Sequence, residues 1–301
     1  MQPIIHLEHI ADINRFLQIP TQHPLVAVVD FSNMEDAIPE GTRISSSFYT
    51  IMFKNYCKNL MRYGRTTYDF QEGNLICIAP HQVLTMDNEI TEREDKMGWG
   101  LFFHPDLLRG SALAQRMDEY TFFSYEVSEA LHLSEMEKET LVDCIRKIER
   151  ELDNNMDGHS QTLIVSNIEL LLNYCARYYG RQFITRKSGH TGTVAEIERL
   201  LRDYFRPGQA EQRELPTVKS LAEKVHLSPS YLSDLLKKET GMNAQDLIHY
   251  HLIEAAKTIL KSSDASVSEI AYALGFEYPQ YFSKLFKLKT GHTPGAYRHL
   301  N

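Results

Sequence analysis

The sequence predicts an α+β fold in which a β-rich amino-terminal domain with a helix pair precedes an all-α carboxy-terminal domain. Three observations support this prediction. Short β-branched and aromatic runs, separated by turn residues, fill residues 24–103. Beyond residue 133 the apolar residues recur at steps of three and four, the period of an amphipathic helix. The last third of the chain repeats itself at an offset of about 50 residues, so one supersecondary unit occurs twice.

The strand-like runs indicate a small β-barrel or sandwich. They are PLVAVVDF at 24–31, FYTIMF at 48–53, TTYDF at 66–70, NLICIAP at 74–80 and GWGLFF at 98–103. Gly73 lies between the third and fourth runs, where it supplies the positive φ that a tight turn needs. The two runs that flank Gly73 are therefore expected to be joined as a strand pair.

Two helices are expected after the strands. The first runs from about Leu133 to Leu152 with Ser134 as its N-cap, and the second covers residues 163–179 and is apolar on more than half its circumference. The turn-like residues 154–160 separate them, which favours an antiparallel hairpin. Its apolar faces fit either packing on the strands or pairing of two subunits, and the sequence leaves both open.

The domain boundary is predicted at residues 185–192. This segment, TRKSGHTG, has no apolar anchor and is rich in small polar and basic residues, as flexible linkers are. It separates residues 1–184 from residues 193–301, and each part is long enough to bury a core. There are 18 basic and 27 acidic side chains up to residue 190, and 14 basic and 13 acidic ones after it. Any contact of the second domain with a polyanion must therefore come from local placement of Lys, Arg and helix ends.

The sequence shows no targeting or membrane segment. The amino terminus lacks a basic stretch followed by an apolar core, and no apolar run approaches the ~18 to 20 residues of a membrane span. We therefore expect a cytoplasmic protein. The four cysteines, Cys57, Cys77, Cys144 and Cys175, have no C-x-x-C spacing, which favours buried apolar roles over a metal or redox pair.

The internal repeat carries the functional prediction. YLSDLLKKETG at 231–241 and YFSKLFKLKTG at 281–291 are identical at six of eleven positions. Upstream, TVKSLAEKVHL at 217–227 matches SVSEIAYALGF at 266–276 at an offset one residue shorter, so the second unit has one extra residue in its turn. Each copy predicts a helix, a turn and a second helix, which is the helix-turn-helix layout.

Capping residues mark the helix starts of both units. Thr217 and Ser228 are the expected N-caps of the first unit. In the second unit, Ser266 and Glu269 form a capping box, and Gly275 opens the turn at the end of the first helix. The predicted helix-turn-helix units are residues 217–241 and 266–291.

A helical connector joins the two units. AQDLIHYHLIEAAKTILK at 244–261 has helical apolar spacing and spans roughly 27 Å at 1.5 Å per residue. A rigid connector of that length could hold two second helices near the ~34 Å that separates successive major grooves on one face of DNA. One chain could therefore read two grooves.

These features resemble the AraC family of transcriptional regulators. The tandem units, the connector ending in Ala256-Lys257 and the closing GHTPGAYR at 291–298 carry the resemblance over residues 193–301. Upstream, EGNLICIAPHQV, WGLFFHPDLL and the helix pair are similar to the cupin-like sensor half of that family. The resemblance implies a sequence-specific DNA-binding transcriptional regulator, with a cupin-like β-barrel for sensing and dimer contacts.

The same resemblance implies the partners. Double-stranded DNA, a small-molecule effector of unknown identity and a second copy of the chain are expected, with RNA polymerase as a further candidate. Effector binding in the barrel would control promoter binding by shifting the population that is competent to bind. Activation and repression both stay open, because the outcome depends on where the site lies relative to a promoter.

The resemblance also places base-reading positions on the second helix of each unit. They are Ser230, Ser233 and Asp234 in the first unit, and Gln280, Ser283 and Lys284 in the second. Gln280 could pair with adenine and Lys284 with guanine, each with about 1 to 3 kcal/mol of discrimination. The residues assigned to phosphate are Lys237, Lys238, Lys287 and Lys289.

Helical spacing predicts the inward faces of the same helices. The inward residues are Tyr231, Leu232, Leu235 and Leu236 in the first unit, and Tyr281, Phe282, Leu285 and Phe286 in the second. Two positions depart from the family pattern, since members often carry Arg where Leu252 and Lys284 stand. A salt bridge at the first position and bidentate guanine reading at the second are therefore in doubt.

Other functions have weaker support. Candidate lining residues of an effector pocket are Tyr49, Phe53, Tyr68 and Trp99, with ordinary core packing as the alternative. A second hypothesis is a domain that only dimerises and takes no ligand. A metal enzyme would need three or four convergent ligands, yet the strand region offers only His81, with His104 just beyond it, and no H-x-H pair. Nucleotide-binding and nucleophile motifs are absent, so we expect no metal, no cofactor and no enzyme activity.

Overall fold

The computed structural model describes residues 4–31, 41–54, 73–86, 98–125, 129–185, 187–206 and 215–299. The chain divides into two units, residues 1–185 and residues 186–301. All strands of the described residues lie in the first unit, and the described part of the second unit is helical. Among the described residues, no helix is both long enough and apolar enough to span a bilayer.

Short strands form two sheets in the first unit. The strands are β1 (Ile4–Leu7), β2 (Val26–Asp30), β3 (Thr42–Ser46), β4 (Tyr49–Lys54), β5 (Asn74–Ile78), β6 (Val83–Met86), β7 (Gly98–Phe103) and β8 (Leu131–His132). The smaller sheet has the order β1-β3-β6, with β1 parallel to β3 and β3 antiparallel to β6. The larger sheet has the order β2-β7-β4-β5-β8 and is antiparallel throughout.

Neither sheet closes on itself within the described ranges, so the predicted cupin-like β-barrel is not confirmed. Instead, one apolar cluster joins the two sheets, as in a sandwich, and includes Leu7 of β1, Met52 of β4 and Phe102 of β7. The helix α1 (Ile10–Phe16) packs into the same cluster. Apolar and polar residues alternate along the strands of both barrels and sandwiches. The strand pattern in the sequence therefore could not show whether the sheet closes into a barrel. The predicted strand at 66–70 lies outside the described residues.

The larger sheet is covered on both faces. Every residue of β5 and β7 is buried, which is typical of strands packed on two sides. One face meets the smaller sheet. On the other face, Tyr49 stacks on Phe103 with ring centroids 5.1 Å apart, and Phe53 stacks on Trp99 at 6.1 Å. The larger sheet is thus the middle layer of the first unit.

The predicted helix pair is confirmed as α3 (Glu135–Asp153) and α4 (Ser160–Thr185). Ser134 caps α3 in a capping box with Glu137. Glu137 also pairs with Arg181 of α4 at 2.7 Å, which links the two helices. α3 contacts β2 and α4 contacts β8, so packing on the strands is confirmed. The pairing of two subunits stays a prediction.

Short helical turns connect the last strands with this hairpin. They are α2 (Ala112–Arg116) and the 3-10 turns Pro105–Leu108, Met117–Glu119 and Thr121–Ser124. The side chain of His104 caps the first of these turns, because its Nδ1 accepts a hydrogen bond from Asp106 N at 3.2 Å. His104 therefore has a structural role in this fold.

The second unit is a helical bundle with two long helices, Lys187–Tyr204 and Ala244–Ser262, and several shorter ones. Its helices are α5 (Lys187–Tyr204), α6 (Val218–Lys224), α7 (Pro229–Thr240), α8 (Ala244–Ser262), α9 (Val267–Ala273), α10 (Pro279–Thr290) and α11 (Pro294–Arg298). Buried residues of α5 through α10 form a single apolar cluster. The helix boundaries agree with the predicted repeat and connector to within about one or two residues, the usual uncertainty of helix ends.

The predicted irregular linker is wrong in its conformation. Most of the segment TRKSGHTG lies in α5, which begins at Lys187. The polar composition gave no helix signal, but Ile197 and Leu201 further along α5 are fully buried in the cluster of the second unit. Because helix growth adds one hydrogen bond per residue, a helix anchored by these residues can extend back into a polar segment.

Candidate nucleic-acid interface

The first helix-turn-helix unit consists of α6 and α7. Thr217 Oγ1 accepts a hydrogen bond from Ser220 N at 3.0 Å, and Ser228 Oγ accepts one from Tyr231 N at 3.1 Å. Both residues are thus the N-caps that the sequence predicts. Between the helices, His226 adopts a left-handed conformation with φ of 56°. A non-glycine residue in this region is uncommon, and here it reverses the chain between the two helices.

The second unit, α9 and α10, makes the same turn with glycine. Gly275 has φ of 91° at the position equivalent to the left-handed histidine of the first unit. Leu227 N donates to Ala222 O in the first turn and Phe276 N donates to Ala271 O in the second, both at 3.0 Å. The two turns are therefore closed by equivalent hydrogen bonds. The predicted extra residue of the second unit comes after Phe276, beyond the part of the turn that both units share.

The two second helices begin differently. Ser266 and Glu269 form the predicted capping box of α9, with Ser266 N donating to Glu269 Oε2 at 2.6 Å. At the start of α10, however, Tyr278 occupies the N-cap and its side chain makes no capping hydrogen bond. Pro279 at the first helical position has no N–H to satisfy. The N-terminal turn of α10 thus lacks the serine cap that α7 has.

The connector α8 holds both units. It is 19 residues long, or about 28 Å at 1.5 Å per residue, and it contacts α6 and α7 of the first unit and α9 of the second. Leu252, one of the positions where the family often carries Arg, is 1% exposed and belongs to the shared cluster. Leu252 therefore packs with apolar neighbours and forms no ion pair.

The outward face of α7 is partly covered. Tyr231, Leu232, Leu235 and Leu236 are all buried, which confirms the predicted inward face. The three candidate base-reading residues, Ser230, Ser233 and Asp234, are half-buried, whereas Lys237 and Lys238 are exposed. The side chains with most freedom to meet DNA on α7 are thus the two lysines near its C-terminus.

The outward face of α10 is more open. Gln280 and Lys284 are exposed and Ser283 is half-buried, while Lys287 and Lys289 are exposed at the C-terminal end. Phe282 and Phe286 are buried and Leu285 is partly buried, as predicted. The prediction for Tyr281 is wrong, because its side chain is 61% exposed whereas the equivalent Tyr231 is 2% exposed. Helical spacing is the same in both copies, but burial also depends on which neighbours cover the position.

Two exposed tyrosines extend the surface beside Gln280. Tyr278 and Tyr281 contact each other edge to face, with ring centroids 5.8 Å apart. Neither tyrosine was predicted from the sequence to lie in the interface. The sequence feature that could have indicated them is the extra residue in the second turn. It places Tyr278 where the first unit has its capping serine, Ser228.

An ion pair ties α10 to the connector. Lys289 Nζ lies 2.9 Å from Asp246 Oδ1 of α8. The hydrogen bond from Lys289 lowers the pKa of Asp246 below its usual range. Lys289, predicted to contact phosphate, therefore already has an intramolecular partner, and a phosphate contact would require exchange of this pair. The sequence could not reveal the pair, since its partners are 43 residues apart.

The described residues show no cluster of three His, Cys, Asp or Glu side chains suited to a metal ion. His81, the strand-region histidine, lies in a turn with φ of 67°. Cys77, Cys144 and Cys175 are buried free thiols, as expected from their spacing, and Cys57 lies outside the described residues.

A cavity of about 70 Å³ lies between the two sheets of the first unit, but the predicted effector residues do not line it. Tyr49, Phe53 and Trp99 lie on the opposite face of the larger sheet, where they stack on other aromatic rings. Tyr68 lies outside the described residues. The reason is the period-two alternation of a strand, which sends neighbours to opposite faces. These three residues pack against neighbouring aromatic rings, and a role for them in an effector pocket stays a prediction.

Comparisons with known proteins agree with the helix-turn-helix geometry. Residues 221–299 match a family model described as a helix-turn-helix domain. YijO, an HTH-type transcriptional regulator of Escherichia coli (strain K12), is 32% identical over 128 residues, which are 42% of this chain and 42% of YijO. YfiF, an HTH-type transcriptional regulator of Bacillus subtilis (strain 168), is 31% identical over 141 residues, which are 47% of this chain and 41% of YfiF.

One solved structure matches about a third of this chain. The C-terminal domain of the two-component response regulator yesN from Fusobacterium nucleatum is 32% identical, with 36% of this chain and 99% of that chain covered and a TM-score of 0.32. Because this TM-score is low, the helix-turn-helix assignment rests on the sequence matches and not on the structural similarity. The chain spans less than half the length of the curated relatives YijO and YfiF.

The carboxy-terminal unit contains two helix-turn-helix units and matches a helix-turn-helix family model over most of its length. Its family match and its regulator relatives support the AraC type that the sequence resembles. The cupin-like assignment of the first unit receives no such support.

The equivalent tyrosines of the two units should differ in their effect on stability. Tyr231→Ala removes a buried aromatic side chain and should lower the free energy of unfolding by about 3 kcal/mol. Tyr281→Ala, its matched control in the repeat, should change it by less than about 0.5 kcal/mol. Urea unfolding of the full chain, followed by circular dichroism at 222 nm, measures both. Equal losses for the two variants would contradict the difference in burial.

The Asp246–Lys289 pair should stabilise the second unit only above the titration range of the carboxyl group. Because the folded-state pKa of Asp246 is lowered, the contribution is present at pH 7 and is lost as the pH falls below about 4. Both side chains are more than a third exposed, so the coupling should be below about 1 kcal/mol. A double-mutant cycle with Asp246→Asn and Lys289→Met at pH 7 and pH 3 tests this. Coupling that does not decrease between pH 7 and pH 3 would show that the pair does not act through the carboxylate charge.

Proposed function

We propose that the protein is a sequence-specific DNA-binding transcriptional regulator, and that a small-molecule effector bound by the first unit controls its promoter binding. One observation carries the DNA part: two helix-turn-helix units share one buried cluster with the connector α8, and both present Lys and polar side chains on their second helices. Because promoter DNA is the proposed target, we propose that the protein acts in the cytoplasm. We propose no enzyme activity.

The two units contribute unequally in this proposal. The half-buried Ser230, Ser233 and Asp234 of α7 are proposed as weak sequence readers, and Asp234 would also be repelled by nearby phosphates. The exposed Gln280 and Lys284 of α10 are the main readers. Gln280 fits the paired donor and acceptor of adenine, while Lys284 offers guanine a point charge without the planar fork of Arg. Ser283 adds a hydroxyl group between them.

Phosphate contacts supply most of the affinity in the proposal. Lys237 and Lys238 on α7 and Lys287 on α10 are exposed near the C-terminal ends of the two helices. They are positioning contacts that carry no sequence information. Lys289 is the weaker candidate, because it is held by Asp246. Since the unit is nearly neutral overall, its attraction to DNA would come from these local lysines and not from a net positive charge.

Selection of bound duplexes from a random pool by the full-length protein tests the DNA proposal. Two half-sites about one helical turn apart are expected, since one chain carries two second helices. A single half-site would show that only one unit reads DNA. No enrichment, with the free protein verified as folded by circular dichroism, would contradict sequence-specific binding.

Variants should separate base reading from phosphate contact. Gln280→Ala and Lys284→Ala should lower the preference for the selected site over random DNA by about 1 to 3 kcal/mol each. Lys237→Ala should weaken binding to both DNAs alike and reduce the slope of log affinity against log salt by about 1. Fluorescence anisotropy at several salt concentrations measures both quantities. Lys147→Ala, an exposed lysine of the first unit, is the control and should change neither.

A homodimer is the proposed working form. Leu163 and Leu170 are exposed on α4 at 48% and 39%, and they lie seven residues apart, on one face of the helix. Neighbouring apolar residues of α4, such as Ile164, Ile168 and Leu171, are buried within the unit, so these two leucines are left exposed by its internal packing. An isologous contact would place the same face of a second α4 against them.

The double variant Leu163→Glu/Leu170→Glu should convert a dimer into a monomer, because four like charges would meet at the contact. Light scattering after size-exclusion chromatography measures the mass. Met136→Glu, an equally polar change at an exposed apolar residue of α3, is the control and should leave the dimer intact. A wild-type chain that is monomeric at all concentrations tested, or a dimer that survives the double variant, would contradict this contact.

Effector control is proposed to work by population shift. A ligand that binds one arrangement of the protein more tightly than another raises the fraction in that arrangement, whatever its affinity for DNA. The cavity between the two sheets is the place proposed for it. RNA polymerase is a further proposed partner where the bound site favours activation.

A further inference from the structure

The exposed side of α10 has a polar half and an apolar half. Apart from Lys289, which pairs with Asp246, the exposed residues of α10 fall within an arc of about 120° at about 100° per residue. In order around the helix they are Lys287, Gln280, Lys284, Leu288 and Tyr281. Lys284 thus lies in the middle of the arc, with the polar Gln280 on one side and two large apolar side chains on the other.

The apolar half belongs to the second unit alone. Tyr281 and Leu288 are 61% and 77% exposed. At the equivalent positions of the first unit, Tyr231 is 2% exposed and Lys238 is a charged residue. A helix-turn-helix unit of this chain therefore folds without an apolar exposed side. Its presence on α10 favours a contact with another molecule.

The ring of Tyr281 is held by a second tyrosine. Tyr278, at the N-cap of α10, meets it edge to face with ring centroids 5.8 Å apart. The backbones of the two residues are joined as well, because Tyr281 N donates a hydrogen bond to Tyr278 O at 3.1 Å. A side chain that is already ordered loses less conformational freedom when it binds a partner.

Tyr281 lies at the end of α10 that is expected to enter the major groove. In helix-turn-helix proteins the N-terminal residues of the second helix contact the base edges. Tyr281 is the third residue of α10 and directly follows Gln280. Leu288 is seven residues further on, or about 10 Å along the helix axis. Tyr281 is therefore the apolar residue of the arc that is closest to the base edges in this arrangement.

The major groove offers an aromatic ring one kind of apolar partner. The C5 methyl group of thymine is apolar, whereas the other groups on the base edges are hydrogen-bond donors or acceptors. Covering a donor or acceptor with a ring that cannot pair with it is unfavourable. The phenol hydroxyl group could bind a phosphate, but the exposed ring itself matches the methyl group.

We propose that Tyr281 reads the C5 methyl group of a thymine in the half-site bound by α10. This inference rests on the proposed DNA function and adds a third base to those assigned to Gln280 and Lys284. Because Lys284 lies between Gln280 and Tyr281 around the helix, the thymine lies on the Lys284 side of the half-site. Burial of one methyl group corresponds to an affinity ratio of about 4.

Replacement of thymine by deoxyuridine tests the proposal, because deoxyuridine keeps the base pair and the O4 acceptor and lacks only the methyl group. The duplex is the one selected by the full-length protein. The half-site of α10 is the one in which Gln280→Ala and Lys284→Ala relax the preference. Each of its thymines is replaced in turn, and fluorescence anisotropy measures the affinity. One replacement should weaken binding about 4-fold. A half-site without such a position would overturn the proposal.

Variants of Tyr281 assign the effect to its ring. Tyr281→Ala should bind the thymine and deoxyuridine duplexes equally, whereas Tyr281→Phe should keep the ratio of about 4 because it loses only the hydroxyl group. Leu288→Ala is the matched control, since it removes the other large apolar side chain of the arc, and it should also keep the ratio. A ratio that persists in Tyr281→Ala, or that is lost in Tyr281→Phe, would overturn the assignment.

The results also separate this contact from the proposed function as a whole. An enriched motif whose α10 half-site tolerates deoxyuridine at every thymine would overturn the methyl contact and leave the regulator standing. Absence of any enriched motif would remove the DNA function and the methyl contact with it. Tyr281→Ala that is folded by circular dichroism and binds every duplex as tightly as the wild type would assign the apolar side to a protein partner and overturn the proposal.

Discussion

The arrangement of the carboxy-terminal unit depends on the burial of α8 against both helix-turn-helix units. α8 contacts α6 and α7 of the first helix-turn-helix unit and α9 of the second, and its buried residues belong to the same cluster as those of both units. Close-packed interiors transmit small displacements, so neither unit can move far without disturbing α8. The second helices α7 and α10 are therefore presented as a fixed pair, which is what reading two successive grooves requires.

The two units keep the same turn but differ at the surface. Equivalent backbone hydrogen bonds close both turns, at Leu227 and Phe276. The extra residue of the second unit then replaces a capping serine by Tyr278 and leaves Tyr281 in solvent. A duplicated unit thus retains the interactions that make its fold, while the residues at the helix start, which the fold constrains less, have diverged. This divergence is consistent with the unequal roles proposed for the two units in DNA recognition.

The amino-terminal unit is organised by the larger sheet, which is buried on both faces. Its outer face packs aromatic residues such as Tyr49 and Trp99 toward the helix hairpin, and its inner face surrounds the cavity with Lys54 at one edge. The two faces therefore separate structural packing from the space available to a ligand. Gly100 shows how the inner face is shaped, since a side chain there would collide with Phe31.

The sequence by itself determined the two helix-turn-helix units, their caps at Thr217, Ser228 and Ser266, the connector and the helix hairpin. These features depend on local hydrogen bonds and on apolar period, both of which act between residues a few positions apart. Only the tertiary structure decided that neither sheet closes within the described residues, that Tyr281 is exposed while its repeat equivalent is buried, and that Lys289 pairs with Asp246. These outcomes depend on which distant elements meet, and a one-residue step along a strand is enough to place a side chain such as Phe53 on the other face from the cavity.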